Sequence, residues 1–394
     1  FDAENNQWSI TTTGADTRET VTARHLILGV GCLSTIEMPE FPDAQLFQGE
    51  VIHTARWPQV DIDLAGQRVG VIGTGSSGIQ SIPLIAEQAE HLYVFQRTPN
   101  YVVPAQNRPI QPDEAASIKE TYGELRAAAW KSLSAFEFER NPGSVFDMDE
   151  ADRVANFEKY WGIGGLPFFG SFGDLLTNKA ANEVVIEWWK GKVREIVDDP
   201  HVAELLIPKA DIFGGKRLCA GTNYFETYNR DNVTLVDLSA LGIERFTETG
   251  VAAAGQEYEL DTIVCATGFD AMTGSVVRMD ITGLDGKKIA DKWAEGPHNY
   301  LGIGVAGFPN LFNMQGPGSP SVFATMVTGI EHQGDWITDC LTHMVNEQYT
   351  RIDPTPEAEA AWVERVAQVA KPSLRSTCDS WYIGSNIDGK PRVF

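Results

Sequence analysis

The stretch "RVGVIGTGSSGIQ", residues 68–80, decides the fold of this chain. Arg68 to Ile72 reads as a short apolar strand that stops at Gly73. From Ser76 the spacing turns helical through "SSGIQSIPLIAEQAE", and Pro83 inside it predicts a kink or a helix packed unusually closely. "HLYVFQR", residues 91–97, is the next strand. Gly73, Gly75 and Gly78 therefore fall at GxGxxG spacing within a strand, turn, helix, strand unit, the context that makes the pattern a dinucleotide-binding fingerprint. There Gly73 permits the tight turn and Gly75 lets backbone amides approach a pyrophosphate. Gly78 lets the helix pack on its strand, and the helix N-terminus faces the phosphate charge.

The end of the second strand selects the dinucleotide. An NAD site places Asp or Glu there to accept a hydrogen bond from the ribose 2′-hydroxyl. This chain has Gln96, Arg97 and Thr98 instead. A guanidinium cannot accept a hydrogen bond but pairs bidentately with a 2′-phosphate, so Arg97 points to NADP(H); the other reading is a solvated arginine at a strand end.

Composition bounds what else the chain does. With 394 residues, 43% of them hydrophobic, it can bury a large core and is expected to form two or more domains. A net charge of −23 and a pI near 4.6 argue against nucleic acid or an anionic membrane as partner, since both would repel it. Five cysteines, widely spaced and without a CxxC pair, suit neither a disulfide framework nor a zinc ribbon. Seven histidines with no HExxH give no sequence support for a metal. No apolar run reaches the length of a membrane span and no signal peptide opens the sequence, so the cytoplasm is the expected location.

Residues 5–31, "NNQWSITTTGADTRETVTARHLILGVG", read as a hairpin turning near Gly14 and then an apolar strand over 25–30. Helical periodicity over 113–139 and 178–197, with aromatic-rich loops such as "YWGIGGLPFFGSFGD" between them, reads as a helical insert. Strand patterns return at "VTLVDL" and "YELDTIVCATGF". These shifts divide the chain into residues 1–50, 51–104, 105–212, 213–255 and 256–394.

Just ahead of the fingerprint, "FQGEVIHTARWP" (47–58) fits no helix or strand period, and taken alone it reads as a packed linker. Its Phe47, Gly49, His53, Trp57 and Pro58 fit FxGxxxHxxxWP, which resembles the signature of the Baeyer–Villiger monooxygenases. The resemblance runs on in order through "GVIGTGSSGIQ", "VFQRTPNY", "KRLCAGTNYFETYNRDNVTLVDL", "ATGFDAMTG", "GPGSPS" and "SWYIGSNIDGK", nearly the whole chain. "GPGSPS" with "FGGKRLC" is similar in particular to the phenylacetone monooxygenase branch. It implies an α/β fold of two Rossmann-like dinucleotide-binding domains, one for FAD (1–50 and 256–394) and one for NADP (51–104 and 213–255), with the helical insert at 105–212. The implied activity uses NADPH, FAD and O2 to insert one oxygen atom beside a ketone carbonyl, giving an ester or lactone. An N- or S-hydroxylating flavin monooxygenase and a flavin-free NADP-binding module are the alternatives.

For single residues the resemblance says more than the residues say alone. Lys216 and Arg217 by themselves read as a solvated loop. The resemblance places Lys216 at NADP and makes Arg217 catalytic, a permanent cation that stabilises a C4a-peroxyflavin anion and the tetrahedral adduct with the ketone. It makes Phe47, Gly49, His53 and Trp57 a hinge between the domains. Thr74, Ser76, Ser77, Gln80 and Thr98 join the glycines and Arg97 as NADP contacts. Trp381, which alone reads as packing, becomes another from a mobile loop. Gly268 and Asp270, otherwise a plain strand-end turn, and Met314 beside Gly316, Pro317 and Gly318 come near FAD. Ser321, Val322, Phe323 and Met326 shape the substrate pocket.

The sequence departs from that pattern twice. The pattern has two GxGxxG units and this chain has one, and the first small-residue exit, expected as ATG, reads "GVG" at Gly29 to Gly31. Phe1 is not an initiator methionine, so the expectation is that a segment carrying the first fingerprint precedes it; the alternative is a relative that has lost its flavin.

Overall fold

The protein is represented by a computed structural model that describes residues 1–14, 16–209, 212–319, 322, 324–385 and 389. The chain begins with the hairpin β1 (Trp8–Thr13) and β2 (Arg18–Ala23), followed by β3 (Leu26–Leu28). Next come β4 (Glu50–His53), β5 (Arg68–Ile72), α1 (Ser76–Ala86), β6 (His91–Gln96) and β7 (Val102–Pro104). The insert holds α2 (Pro112–Lys131), α3 (Glu150–Ile163), α4 (Lys179–Ile196) and α5 (Pro200–Leu205). Strands resume with β8 (Cys219–Gly221), β9 (Val233–Asp237), β10 (Ile243–Thr247), β11 (Gly250–Ala253), β12 (Gln256–Glu259) and β13 (Thr262–Cys265). The last part contains α6 (Gly274–Val277), α7 (Ile289–Lys292), β14 (Leu311–Asn313), α8 (Met326–Asn346) and α9 (Pro356–Ala370).

A five-stranded sheet in the order β4-β13-β5-β6-β9, parallel throughout, carries the fingerprint. Its strands are apolar on both faces because both are covered. Val69, Val71 and Val94 pack against Ile79 and Ile82 of α1 in a core that continues to Trp189 of the insert. On the opposite face Ile72, Phe95 and Ile263 pack against Phe246, Val251 and Tyr258 of the antiparallel β10-β11-β12 meander. α1 runs through the buried Pro83 without a break, and Asn232 caps its end by donating to the Ala86 and Ala89 carbonyls at 3.0 Å each.

Three expectations need correction, the first being that 47–58 is a linker without strand: its Glu50–His53 form β4, paired with β13. The run "YELDTIVCATGF" is not one strand on the far side of a boundary at 255. It breaks after Glu259, and β13 inserts between β4 and β5, with Thr262 opposite both Glu50 and Val69. The Asp261 carboxylate fixes that register by accepting the Arg68 backbone N–H at 2.8 Å and its guanidinium at 3.1 Å. The sheet that carries the fingerprint therefore extends to Cys265. The helical pattern over 113–139 ends at Lys131, where the Ser132 hydroxyl donates to the Ala129 and Phe136 carbonyls at 3.0 Å each and turns the chain.

The start of the chain meets residues 274–313 in a second unit. β3 pairs in parallel with β14, and Trp8, Leu28, Ile289, Trp293, Phe308 and Leu311 share one core. No helix among the described residues is long and apolar enough to cross a membrane.

Candidate active site

The three fingerprint glycines answer to different constraints. Gly73 has a φ of +105° and its N–H donates to the Phe95 carbonyl at 3.0 Å; an added Cβ would stand 2.6 Å from the Ala266 carbonyl. A Cβ on Gly78 would run into the Gly73 carbonyl. Gly75 has an ordinary extended backbone, and nothing lies within 4 Å of where its Cβ would be. The fold accounts for Gly73 and Gly78 but not for Gly75, whose missing side chain leaves space before the first turn of α1, where a pyrophosphate would meet the amides and helix dipole. The residues present thus fit a dinucleotide.

Thr74 is buried and ties this turn to the end of β6, its hydroxyl donating to the Thr98 carbonyl at 3.1 Å and its own carbonyl accepting from Asn100 at 3.0 Å. Arg97 and Thr98 are exposed there, and Arg97 makes no ion pair among the described residues. On the other side, the first turn of α1 is tied to β8. Ser76 Oγ lies 3.2 Å from Cys219 Sγ, and Gln80 donates to the Ala220 carbonyl at 3.4 Å. Ser77 is half-buried in the same turn. Burial pushes the Cys219 thiol up, against the opposing Ser76 hydroxyl and Arg217 charge.

Lys216 and Arg217 immediately precede β8, on a turn held from two sides. Asn182 of α4, fully buried, accepts from the Phe213 N–H and donates to its carbonyl, both at 3.0 Å. Gly214, with φ +77°, has no room for a side chain beside Phe169. From the C-terminal segment Arg375 donates to the Gly214 carbonyl at 3.0 Å, and Cys378 Sγ fills the space beside Gly215. Burial lowers the Arg375 pKa. Lys216 and Arg217 are both half-buried, and Arg217 Nη1 donates to the Val322 carbonyl at 3.0 Å. Val322, Tyr382 and Cys32 are buried together, with Met326, Trp381 and Met272 packed on them. The structure thus brings Arg217, Val322, Met326 and Trp381 to one place. Ser321 and Phe323 lie outside the described residues.

The signature residues divide into two groups. Phe47 is buried edge-on to Phe246, and a Cβ on Gly49 would strike the Phe47 ring and the Asp261 carbonyl, so both serve packing. Trp57 is exposed. His53, buried at the end of β4, lies where the two connections to the second unit pair. There Ile36 bridges Phe269, the Glu37 N–H donates to the Gly268 carbonyl at 2.9 Å, and the His53 ring stands edge-on to Phe269 at 6.3 Å. Its Nδ1 accepts from the Ala55 N–H at 3.1 Å. Burial lowers its pKa, the Glu37 and Gly268 carbonyls raise it and Arg56 lowers it, while Nε2 makes no hydrogen bond in good geometry among the described residues.

Beyond this crossover Gly268 has φ +90° with open space where a Cβ would point. Asp270 is buried and accepts from Arg278 Nε and Nη2 at 3.2 and 3.1 Å. The Met314 N–H donates to the Leu28 carbonyl at 3.0 Å, continuing the β3–β14 pairing. On either side of Met314, the side-chain amides of Asn313 and Gln315 are buried without partners among the described residues. Open glycine backbone and orphaned buried amides at strand exits fit a flat cofactor with polar edges. Asn100, Arg375 and Tyr382 were not singled out from sequence, since no spacing rule links them to the fingerprint or to Arg217.

No family model matches the chain. It is 41% identical over 395 residues to a Baeyer–Villiger monooxygenase of Pseudooceanicola batsensis, across 99% of this chain and 71% of that protein. Among solved structures it is similar to an oxidized steroid monooxygenase bound to NADP, with 46% identity and a TM-score of 0.92 over 97% of this chain and 73% of that one. OTEMO in complex with FAD and NADP superimposes with a TM-score of 0.92 at 39% identity, over 96% of this chain and 72% of that one. The fold class is therefore that of two-dinucleotide flavoproteins, α/β with FAD- and NADP-binding domains. Within that class the chain belongs to the Baeyer–Villiger monooxygenases, flavin-dependent oxidoreductases that use NADPH and O2 to insert one oxygen atom beside a ketone carbonyl.

Proposed function

We propose that this chain binds NADPH and FAD and converts a ketone to an ester or lactone, with Arg217 as its catalytic residue. The supporting observation is the position of Arg217, just ahead of Cys219, which meets Ser76 of the phosphate cradle, and hydrogen-bonded to Val322 of the candidate pocket. Bound FAD supplies hydride acceptance and oxygen activation. The amides before α1 hold the pyrophosphate, Arg97 the 2′-phosphate, and Lys216 lies beside the same cofactor. The Arg217 guanidinium is a cation aimed at the pocket, and it stabilises negative charge developing on oxygen without quenching it by proton transfer. Val322, Met326 and Trp381 exclude water from that charge, and the His53 crossover transmits movement between the units.

The test compares NADPH consumed, ester formed and hydrogen peroxide released. Arg217→Ala should still bind NADPH, lose ester formation by about 10²–10³-fold and release the oxygen as peroxide. Arg217→Lys should rescue poorly, because an ammonium lacks the guanidinium fork and gives up its proton more readily. Ester formation by Arg217→Ala near the wild-type rate would remove the arginine from the mechanism. Oxidation of sulfides or amines with no ester from any ketone would move the chain to the hydroxylating monooxygenases.

A further inference from the structure

We infer that Tyr382 is a positioning residue for Arg217, reaching it on a C-terminal strut that is fastened to the Phe213–Arg217 turn. The inference rests on the catalytic reading of Arg217 given above. Three contacts space the strut along the turn: Arg375 on the Gly214 carbonyl, Cys378 against Gly215, and Tyr382 at Arg217. The Leu374 N–H, donating to the Leu176 carbonyl at 2.9 Å, ties the same segment to the insert. The turn is thus held from two sides, by Asn182 of the insert and by the 375–382 segment.

Geometry explains why a tyrosine suits this place. The Val322 carbonyl holds one Nη of Arg217, but a guanidinium held by one bond still swivels about it. A second acceptor fixes its plane. Tyr382 is buried against Val322 and Cys32, with its ring 4.3 Å from that of Trp381, so its phenol oxygen is rigidly placed. A buried phenol needs a polar partner, and the Arg217 guanidinium meets Tyr382 at Val322, donating to the carbonyl of the residue against which the ring packs. Unlike a carboxylate, a neutral phenol orients the guanidinium without cancelling its charge. Burial pushes the Tyr382 pKa up, against the opposing Arg375 and Arg217 charges, and keeps the phenol neutral.

Coupling is reciprocal, so if Tyr382 orients Arg217, Arg217 must also hold down the segment that carries Tyr382. Two measurements test this on the full chain: hydrogen exchange of the amides at 380–385, and the split of consumed NADPH between ester and peroxide. Tyr382→Phe keeps the ring and its packing. It should leave the KM for NADPH within about twofold while ester turnover falls about tenfold and the difference emerges as peroxide, as for one lost bond to a charged group. Arg217→Ala should speed exchange at 380–385 by about tenfold. The double variant should exchange no faster than the faster single one. Unchanged coupling in Tyr382→Phe overturns the positioning role, and so does unchanged exchange in Arg217→Ala. A wild-type chain that binds both cofactors but makes no ester overturns the assigned function instead, and the exchange measurement still decides whether Tyr382 fixes Arg217.

Discussion

The five-stranded sheet and the β3–β14 pair are both built from short parallel apolar strands, yet they are closed to different degrees. In the sheet Val69, Val71, Leu92, Val94, Ile263 and Val264 are fully buried, and each face is covered by an element of the same chain. In the pair Ile27 is 48% exposed, and Asn313 and Gln315 bury four side-chain polar atoms without partners among the described residues. Leu301, Asn310 and Gln315 around it adopt the left-handed backbone that side chains disfavour. In the fingerprint turn neighbours explain Gly73 and Gly78 but not Gly75, and that difference marks a ligand. In the second unit many residues lack such an account, so no single one carries comparable weight.

The largest effects should separate the glycines of the closed unit. Gly78→Val forces a side chain into the Gly73 carbonyl between α1 and β5 and should cost at least about 3 kcal/mol, visible as loss of folded protein in thermal melts. Gly75→Ala should change stability by less than about 0.5 kcal/mol while weakening NADP⁺ by about 1–2 kcal/mol in calorimetry. Equal stability losses would show that Gly75 is as structural as its neighbours.

Arg97 is the next largest test. Arg97→Ala should cost about 1.5–3 kcal/mol of NADPH recognition and little for NADH, because only the former presents a 2′-phosphate. Steady-state comparison of the two cofactors measures it. A loss equal for both would make Arg97 the solvated strand-end residue that its exposure also permits.

These two tests use residues that were legible in the sequence, for an identifiable reason. The fingerprint is local: a strand, three glycines and a helix follow one another, and each obeys its own period. The insert was legible in the same way, from helical periodicity. What stayed hidden were choices of partner. The apolar pattern of Thr262–Cys265 says that it is buried but not that it separates β4 from β5, so the boundary fell too early. The meeting of Arg217 with Tyr382 depends on how the C-terminal segment crosses the insert, which no spacing encodes. Lys216, Arg217 and His53 were visible only through the family pattern, since adjacent cations and a lone histidine are ordinary surface or core residues.

A smaller effect tests the open unit directly. If the Asn313 amide has no partner, Asn313→Leu, which keeps its shape and removes both polar atoms, should stabilise the protein by about 1 kcal/mol in denaturant unfolding. Destabilisation would mean that something satisfies the amide, and the contrast between the two units would then narrow.

The smallest effect is a pH dependence divided between the units. His53 in the sheet and His25 in the second unit both have folded-state pKa values lowered by burial. From about pH 7.5 upward both are neutral folded and unfolded, so neither links stability to pH. Below it the unfolded chain takes up protons that the folded chain refuses, and stability falls with pH until the folded-state pKa is passed. The neighbours differ in sign. At His53 the Glu37 and Gly268 carbonyls offset burial while Arg56 adds to it, whereas at His25, whose ring lies 6.4 Å from Phe312, Arg24 only adds to burial. Denaturant unfolding between pH 5 and 8 should therefore show His25→Gln flattening the acid loss more than His53→Gln. The reverse order would mean that the crossover holds His53 neutral more firmly than the packing of the second unit holds His25, and that the strand end at His53, not the open unit, is the acid-sensitive part of the molecule.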